Sequence, residues 1–167
     1  MNDAIKKDRA GFLERLGQLA GTTAWREPGR SGGGTPYAAR GMATENALVL
    51  ALAMARRNPR DKGPDIAYSL ATQQAYNGAE VVEWLAGKLA VGTGAIGRKH
   101  AGRLVPVAVQ AYEWIVDPDA HLDLSEVGEQ MHDDFRTLYN IAQGWLWMAM
   151  EAAVERAERA MYSKRAA

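Results

Sequence analysis

Residues 79–116 read AEVVEWLAGKLAVGTGAIGRKHAGRLVPVAVQAYEWIV, and the way this stretch divides decides the fold. From Val81 to Leu89 the apolar residues recur with helical period, Gly92-Thr93-Gly94 interrupts them, and a second helical run opens at Ala95. The pattern predicts a helix-turn-helix over residues 79–104. Ala86 supplies the small side chain that two crossing helices need, while Leu85, Leu89, Val91 and Ile96 fill the crossing. The turn Val91–Gly94 then lets the second helix, from Ala95 to about Leu104, project into a major groove. That helix carries Arg98, Lys99, His100 and Arg103. Thr93 and Arg98 are best placed for base edges, and Lys99, His100 and Arg103 for phosphate or a protein surface. Pro106 lacks an N–H and clashes with a preceding turn, so it ends this run and opens a further helix through Val116. Gly92–Gly97 also fits G-x-G-x-x-G, but that fingerprint follows a strand, and here a helix precedes it.

Working outward, Ile5, Phe12, Leu13, Leu16 and Leu19 mark an amphipathic helix over Ala4–Leu19. Residues 21–41 are rich in Gly and Pro and read as a loop carrying Arg26, Arg30 and Arg40. A second helix over Ala43–Arg57 is apolar on nearly every side, which predicts burial, and it stops at Asn58-Pro59 because the residue before proline is driven out of helical geometry. A basic connector holding Arg56, Arg57 and Arg60 follows. Pro64 opens a third helix reaching about Tyr76, before Asn77-Gly78 breaks the chain. No period-two alternation of any length occurs, so the fold class is all-α: a helical bundle containing a helix-turn-helix.

Beyond residue 116 the character changes. From Glu113 to Asp134 there are eight acidic side chains and no Lys or Arg. This segment lacks the glycine-turned pattern of a calcium loop, so a solvated acidic face is the reading, with Asp123, Ser125 and Glu126 suited to a helix N-terminus. From Leu124 one long amphipathic helix extends to about Lys164. Leu124, Met131, Leu138, Trp145 and Ala152 repeat every seventh residue, with Val127, Ile141 and Met148 between them, which predicts a coiled-coil or bundle seam. Phe135, Tyr139, Leu146, Trp147 and Met150 widen it. Such a stripe must be covered, either within the chain or by self-association into a homo-oligomer. Arg156 and Arg159 among Glu151, Glu155 and Glu158 read as surface i,i+4 pairs.

The 167 residues suit a single compact unit. Their 20 basic and 20 acidic side chains cancel, yet residues 1–110 carry 15 basic against 9 acidic and residues 111–167 carry 5 against 11. The organisation that follows is a DNA-binding part, 1–116, and an acidic linker with the long helix, 117–167. Without Cys there is no thiolate metal site, disulfide or cysteine nucleophile, and the three His have no ligand spacing. Neither cofactor nor metal is expected, nor a catalytic constellation, since no Ser has a local base. No apolar run spans a bilayer and the charged N-terminus is no signal peptide, which points to a cytoplasmic, non-enzymatic protein.

Residues 10–116 resemble the small, zinc-free late-gene antiterminators of lambdoid phages, with their sigma-like helix-turn-helix. The shared order is Phe12-Leu13-Glu14-Arg15-Leu16-Gly17, a Gly-rich stretch, the basic run Arg56-Arg57-Asn58-Pro59-Arg60, Tyr76-Asn77-Gly78 leading into Leu85–Leu89, and Ala95–Lys99. Ala90 stands where glycine is common, Lys99 takes a slot usually apolar, and residues from 117 have no counterpart. The resemblance implies binding to double-stranded DNA near a late promoter and contact with a paused bacterial RNA polymerase. A helix-turn-helix DNA-packaging subunit of the small-terminase kind, and a helical adaptor that binds no DNA, are the other readings.

Overall fold

The computed structural model describes residues 2–23 and 37–165. Among them are seven α-helices and no strand: α1 (Asn2–Thr23), α2 (Tyr37–Ala55), α3 (Gly63–Thr72), α4 (Gly78–Gly92), α5 (Ala95–Lys99), α6 (Leu104–Val116) and α7 (His132–Arg165). The all-α reading therefore holds. Most of the segment read as a Gly/Arg loop, with Arg26 and Arg30, lies outside the described residues, while its flanks 21–23 and 37–41 are helical.

The long α7 is the spine, packed against α2, α3 and α6; α4 lies on α6, and α1 on α2. One continuous core joins Phe12 and Leu16 of α1, Leu52 of α2, Ile66 and Leu70 of α3, Leu85 and Leu89 of α4, Ile115 of α6 and Leu146 and Met150 of α7. The change in charge at residue 116 is thus not a division of the core. Arg9 ties the first helix to this body, its guanidinium donating to the carbonyls of Trp114 (2.9 Å) and Ile115 (2.7 Å) in the last turn of α6, where helix carbonyls lack internal partners.

Four local expectations are corrected. First, α2 is not buried all round: Leu48, Ala51 and Leu52 face the core, but Leu50 is 54 % exposed and Val49 and Met54 are exposed beside it. Second, α3 ends at Thr72, with Gln73 left-handed at φ 55°. The turn after it is fixed from below, because Ser69 Oγ accepts the Tyr76 amide (3.0 Å) and lies 2.7 Å from the Tyr112 hydroxyl. Third, the long helix starts at His132, not Leu124. In the segment before it, Asp117 and Asp123 accept the amides of Asp119 and Ser125 at 2.9 Å each, and such side-chain-to-backbone bonds compete with helix. Ser125 also holds the Asp123 carboxyl below its ordinary range. Leu122, Leu124, Val127 and Met131 still pack on the core, but as an irregular strap.

Fourth, the seven-residue seam is not the buried face of α7. The covered stripe is Phe135, Leu138, Tyr139, Ala142, Leu146, Met150, Ala153, Val154 and Ala157, a 3.6-period face as a globular helix presents. Met148 is 65 % exposed and Ala152 is exposed. The residues that seemed to widen the seam are its centre, and their cover comes from within the chain.

Candidate nucleic-acid interface

The turn between α4 and α5 depends on two glycines. Gly94 has φ 62° and ψ −123°, a region closed to side chains with a Cβ. At Gly97 a Cβ would lie 2.3 Å from Thr93 Oγ1 and 2.7 Å from the Leu89 carbonyl oxygen, so α5 crosses the end of α4 at backbone contact. The small residue at the crossing is therefore Gly97, whereas Ala86 is buried one turn further into α4. Val91, expected inside the crossing, is 87 % exposed. Ile96 packs against the core as expected.

The second helix is shorter than its sequence suggested. It ends at Lys99, a single 3-10 turn covers Ala101–Arg103, and α6 begins at Leu104 with Pro106 in its first turn, where a missing N–H removes no helical bond. The break is made by His100. Its side chain is 5 % exposed, its Nε2 lies 2.8 Å from Asp134 Oδ2, and its ring meets Phe135 edge-on at 5.1 Å. Drawn into the core against the start of α7, His100 leaves the helical path and pins this end of the molecule. It is an anchor and has no reach to phosphate.

The other expected contact residues fall into two states. Thr93 donates its hydroxyl to the Leu89 carbonyl (2.6 Å) and closes the end of α4, so it does not aim at a base. Lys99 is exposed but pairs with Asp134 at 2.8 Å; hydrogen bonds from His100 and Lys99 hold that carboxyl below its ordinary range. Arg98 and Arg103 are exposed and have no acidic partner among the described residues. Within the connector, Arg56 is engaged: its Nη2 sits 2.6 Å from Oδ1 of Asp65, which is 1 % exposed. It neutralises a buried carboxylate and is not free for DNA. Arg57 and Arg60 are exposed, with no acidic partner for either guanidinium among the described residues.

Arg156 was not foreseen here. Instead of pairing along α7, its Nε donates to the Ala55 carbonyl at the end of α2 (2.9 Å) and its Nη2 pairs with Asp61. Together Arg57, Arg60 and Arg156 line an open groove of about 590 Å³, with Asp61 as its one acidic residue. A second groove of about 570 Å³ shares Pro59 and Arg60 and continues along α4 past Glu83, Trp84 and Gly87. Next along that face, Lys88 Nζ stands 4.9 Å from the Trp84 ring and 5.5 Å from the Trp145 ring. No signal in the sequence tied residues 57–61 to Arg156, because the contact spans 95 positions.

Comparison with family models, with curated proteins and with solved structures finds no match for the chain. The chemistry of the surface must then be argued from its own side chains. Free guanidinium groups on an open surface suit phosphate, which they bind by charge-assisted hydrogen bonds in a planar fork. Among the described residues no group of three or more His, Asp or Glu could hold a metal ion, and no helix is long and apolar enough to cross a membrane.

Proposed function

We propose that this protein binds duplex DNA through the α4–α5 end, chiefly by phosphate contacts, and acts in transcription control of the antitermination kind. The observation that carries the reading is the pair Arg98 and Arg103: exposed, unpaired among the described residues, and held on a glycine turn that His100 locks to α7. Fixed cations of this sort release condensed counterions when they meet a duplex, which makes affinity fall steeply with salt. The five residues of α5 rise only about 7.5 Å, too little to lie along a major groove. Backbone contacts should therefore dominate over base reading, and discrimination between sequences should be modest.

The acidic segment 117–134 repels phosphate and suits a protein partner, for which the antiterminator resemblance offers RNA polymerase at a late promoter. A packaging ring finds less support, since the apolar stripe of α7 that would build it is covered by the chain's own helices. The test is a titration of a duplex at several salt concentrations with the wild type and Arg98→Ala/Arg103→Ala. Loss of about one unit of log–log salt slope per phosphate contact removed is expected. Absence of duplex binding by the wild type at low salt would sink the reading.

A further inference from the structure

We infer that the groove of Arg57, Arg60 and Arg156 is a second phosphate site, which takes a phosphodiester of the same duplex about one helical turn away from α5; this rests on the DNA reading above. Three observations carry it. The groove gathers three guanidinium groups against one carboxylate, Asp61, leaving it doubly positive. Arg57 and Arg60 point no charge at any acid among the described residues. Arg156 is oriented by two fixed acceptors, the Ala55 carbonyl and Asp61, so one wall of the groove is set before any ligand arrives.

The spacing follows from α7. Lys99 and His100 of the α5 end are bonded to Asp134, and the connector is bonded to Arg156, 22 positions further along the same helix. At a rise of about 1.5 Å per residue, the two ends are about 33 Å apart, close to the repeat of about 34–36 Å at which a duplex presents the same face again. The outward side of α4 joins them on one surface, as Arg60 shares a groove with Gly87 and Lys88 follows on the next position. Glu80 on this path is neutralised by Lys62 at 2.6 Å. Glu83 is left as the one acid of that groove without a partner.

Such a two-point contact depends on duplex length. Binding is to be measured on a duplex of about 24 base pairs, which spans both sites, and on a hairpin-closed duplex of about 8, which at about 3.4 Å per pair cannot. Arg57→Gln/Arg60→Gln removes no side-chain bond of the fold. It should lower the salt slope on the long duplex by about one to two units and change affinity for the short one by no more than about two-fold. Arg98→Ala/Arg103→Ala should weaken both. If the connector variant leaves the long duplex unchanged while the α5 variant weakens it, the second site is wrong and the DNA reading stands. If neither variant alters the slope, the DNA reading itself fails. Equal losses on short and long duplexes would also overturn the two-point geometry. Inorganic pyrophosphate is the control for a free anion: binding that depends on Arg57 and Arg60, with no effect on the duplex slope, would assign the groove to a small phosphate compound and overturn the proposal.

Discussion

Replacing Arg56 by alanine should cost stability and leave the salt dependence of DNA binding unchanged. Asp65 is 1 % exposed; its Oδ1 receives Arg56 at 2.6 Å and a long contact from Asn77 at 3.4 Å, and its Oδ2 has no protein partner. Without Arg56 the carboxylate keeps one weak donor. Breaking a buried pair from one side costs about 3–5 kcal/mol, and because the Arg56 side chain is 31 % exposed and partly screened, the lower figure of about 2–3 kcal/mol applies. In a chain of this size each kcal/mol moves the midpoint by about 2–4 °C, so a fall of about 5–10 °C is expected. Arg56→Ala/Asp65→Asn removes the stranded charge as well and should recover to within about 1 kcal/mol of the wild type. Urea and thermal unfolding followed by circular dichroism give the stabilities, and duplex titration at three salt concentrations gives the slope. If the single variant unfolds like the wild type yet lowers the slope, Arg56 is a phosphate ligand and the argument from the buried carboxylate is refuted.

Three further outcomes are expected. Gly97→Ala forces a methyl to 2.3 Å from Thr93 Oγ1 and 2.7 Å from a backbone oxygen, and should cost about 1–3 kcal/mol in thermal unfolding while weakening duplex binding; an unperturbed variant would mean that α4 and α5 are not in backbone contact. Leu146→Ala should cost about 2–5 kcal/mol and Met148→Ala almost nothing, because the first is fully buried and the second 65 % exposed; the reverse order would restore the seven-residue seam. The Asp134 carboxylate, held below its ordinary value of 3.8 by His100 and Lys99, contributes stability above that value and loses it as pH falls through the lower native one. Hydrogen exchange at residues 95–103, corrected for intrinsic rates, should therefore stay slow at pH 5–7 and accelerate only below about pH 4, with Asp134→Asn giving the fast behaviour at neutral pH; protection that ignores both changes would show that this carboxylate does not hold α5.

What could be read in the sequence is local, and what could not is the pairing of distant groups. The start of α4 at Asn77-Gly78, its end at Gly92–Gly94 and the place of Pro106 in a first turn are set by glycine and proline geometry within a few residues. The start of α7 is different in kind: Leu124–Met131 has helical period, and only the bonds from Asp123 and the packing of Leu122 and Val127 decide against it. Two apolar stripes pass through Leu138, one of period 3.5 and one of 3.6. The choice between them belongs to α2, α3 and α6, which supply the covering surface.

The charged residues make the same point about function. Arg56, Arg57 and Arg60 look alike in the sequence, as do Arg98, Lys99 and His100, yet Arg56 answers a carboxylate nine positions away and His100 one 34 positions away. These engagements remove some cations from any interface and also orient the rest: His100 fixes the turn that presents Arg98, and Arg156 fixes the wall beside Arg57 and Arg60. A basic run therefore becomes a candidate surface through the members that the fold has taken out of it. Those members set the distance between the groups left over, and that distance of about one duplex turn is what a phosphate backbone can register.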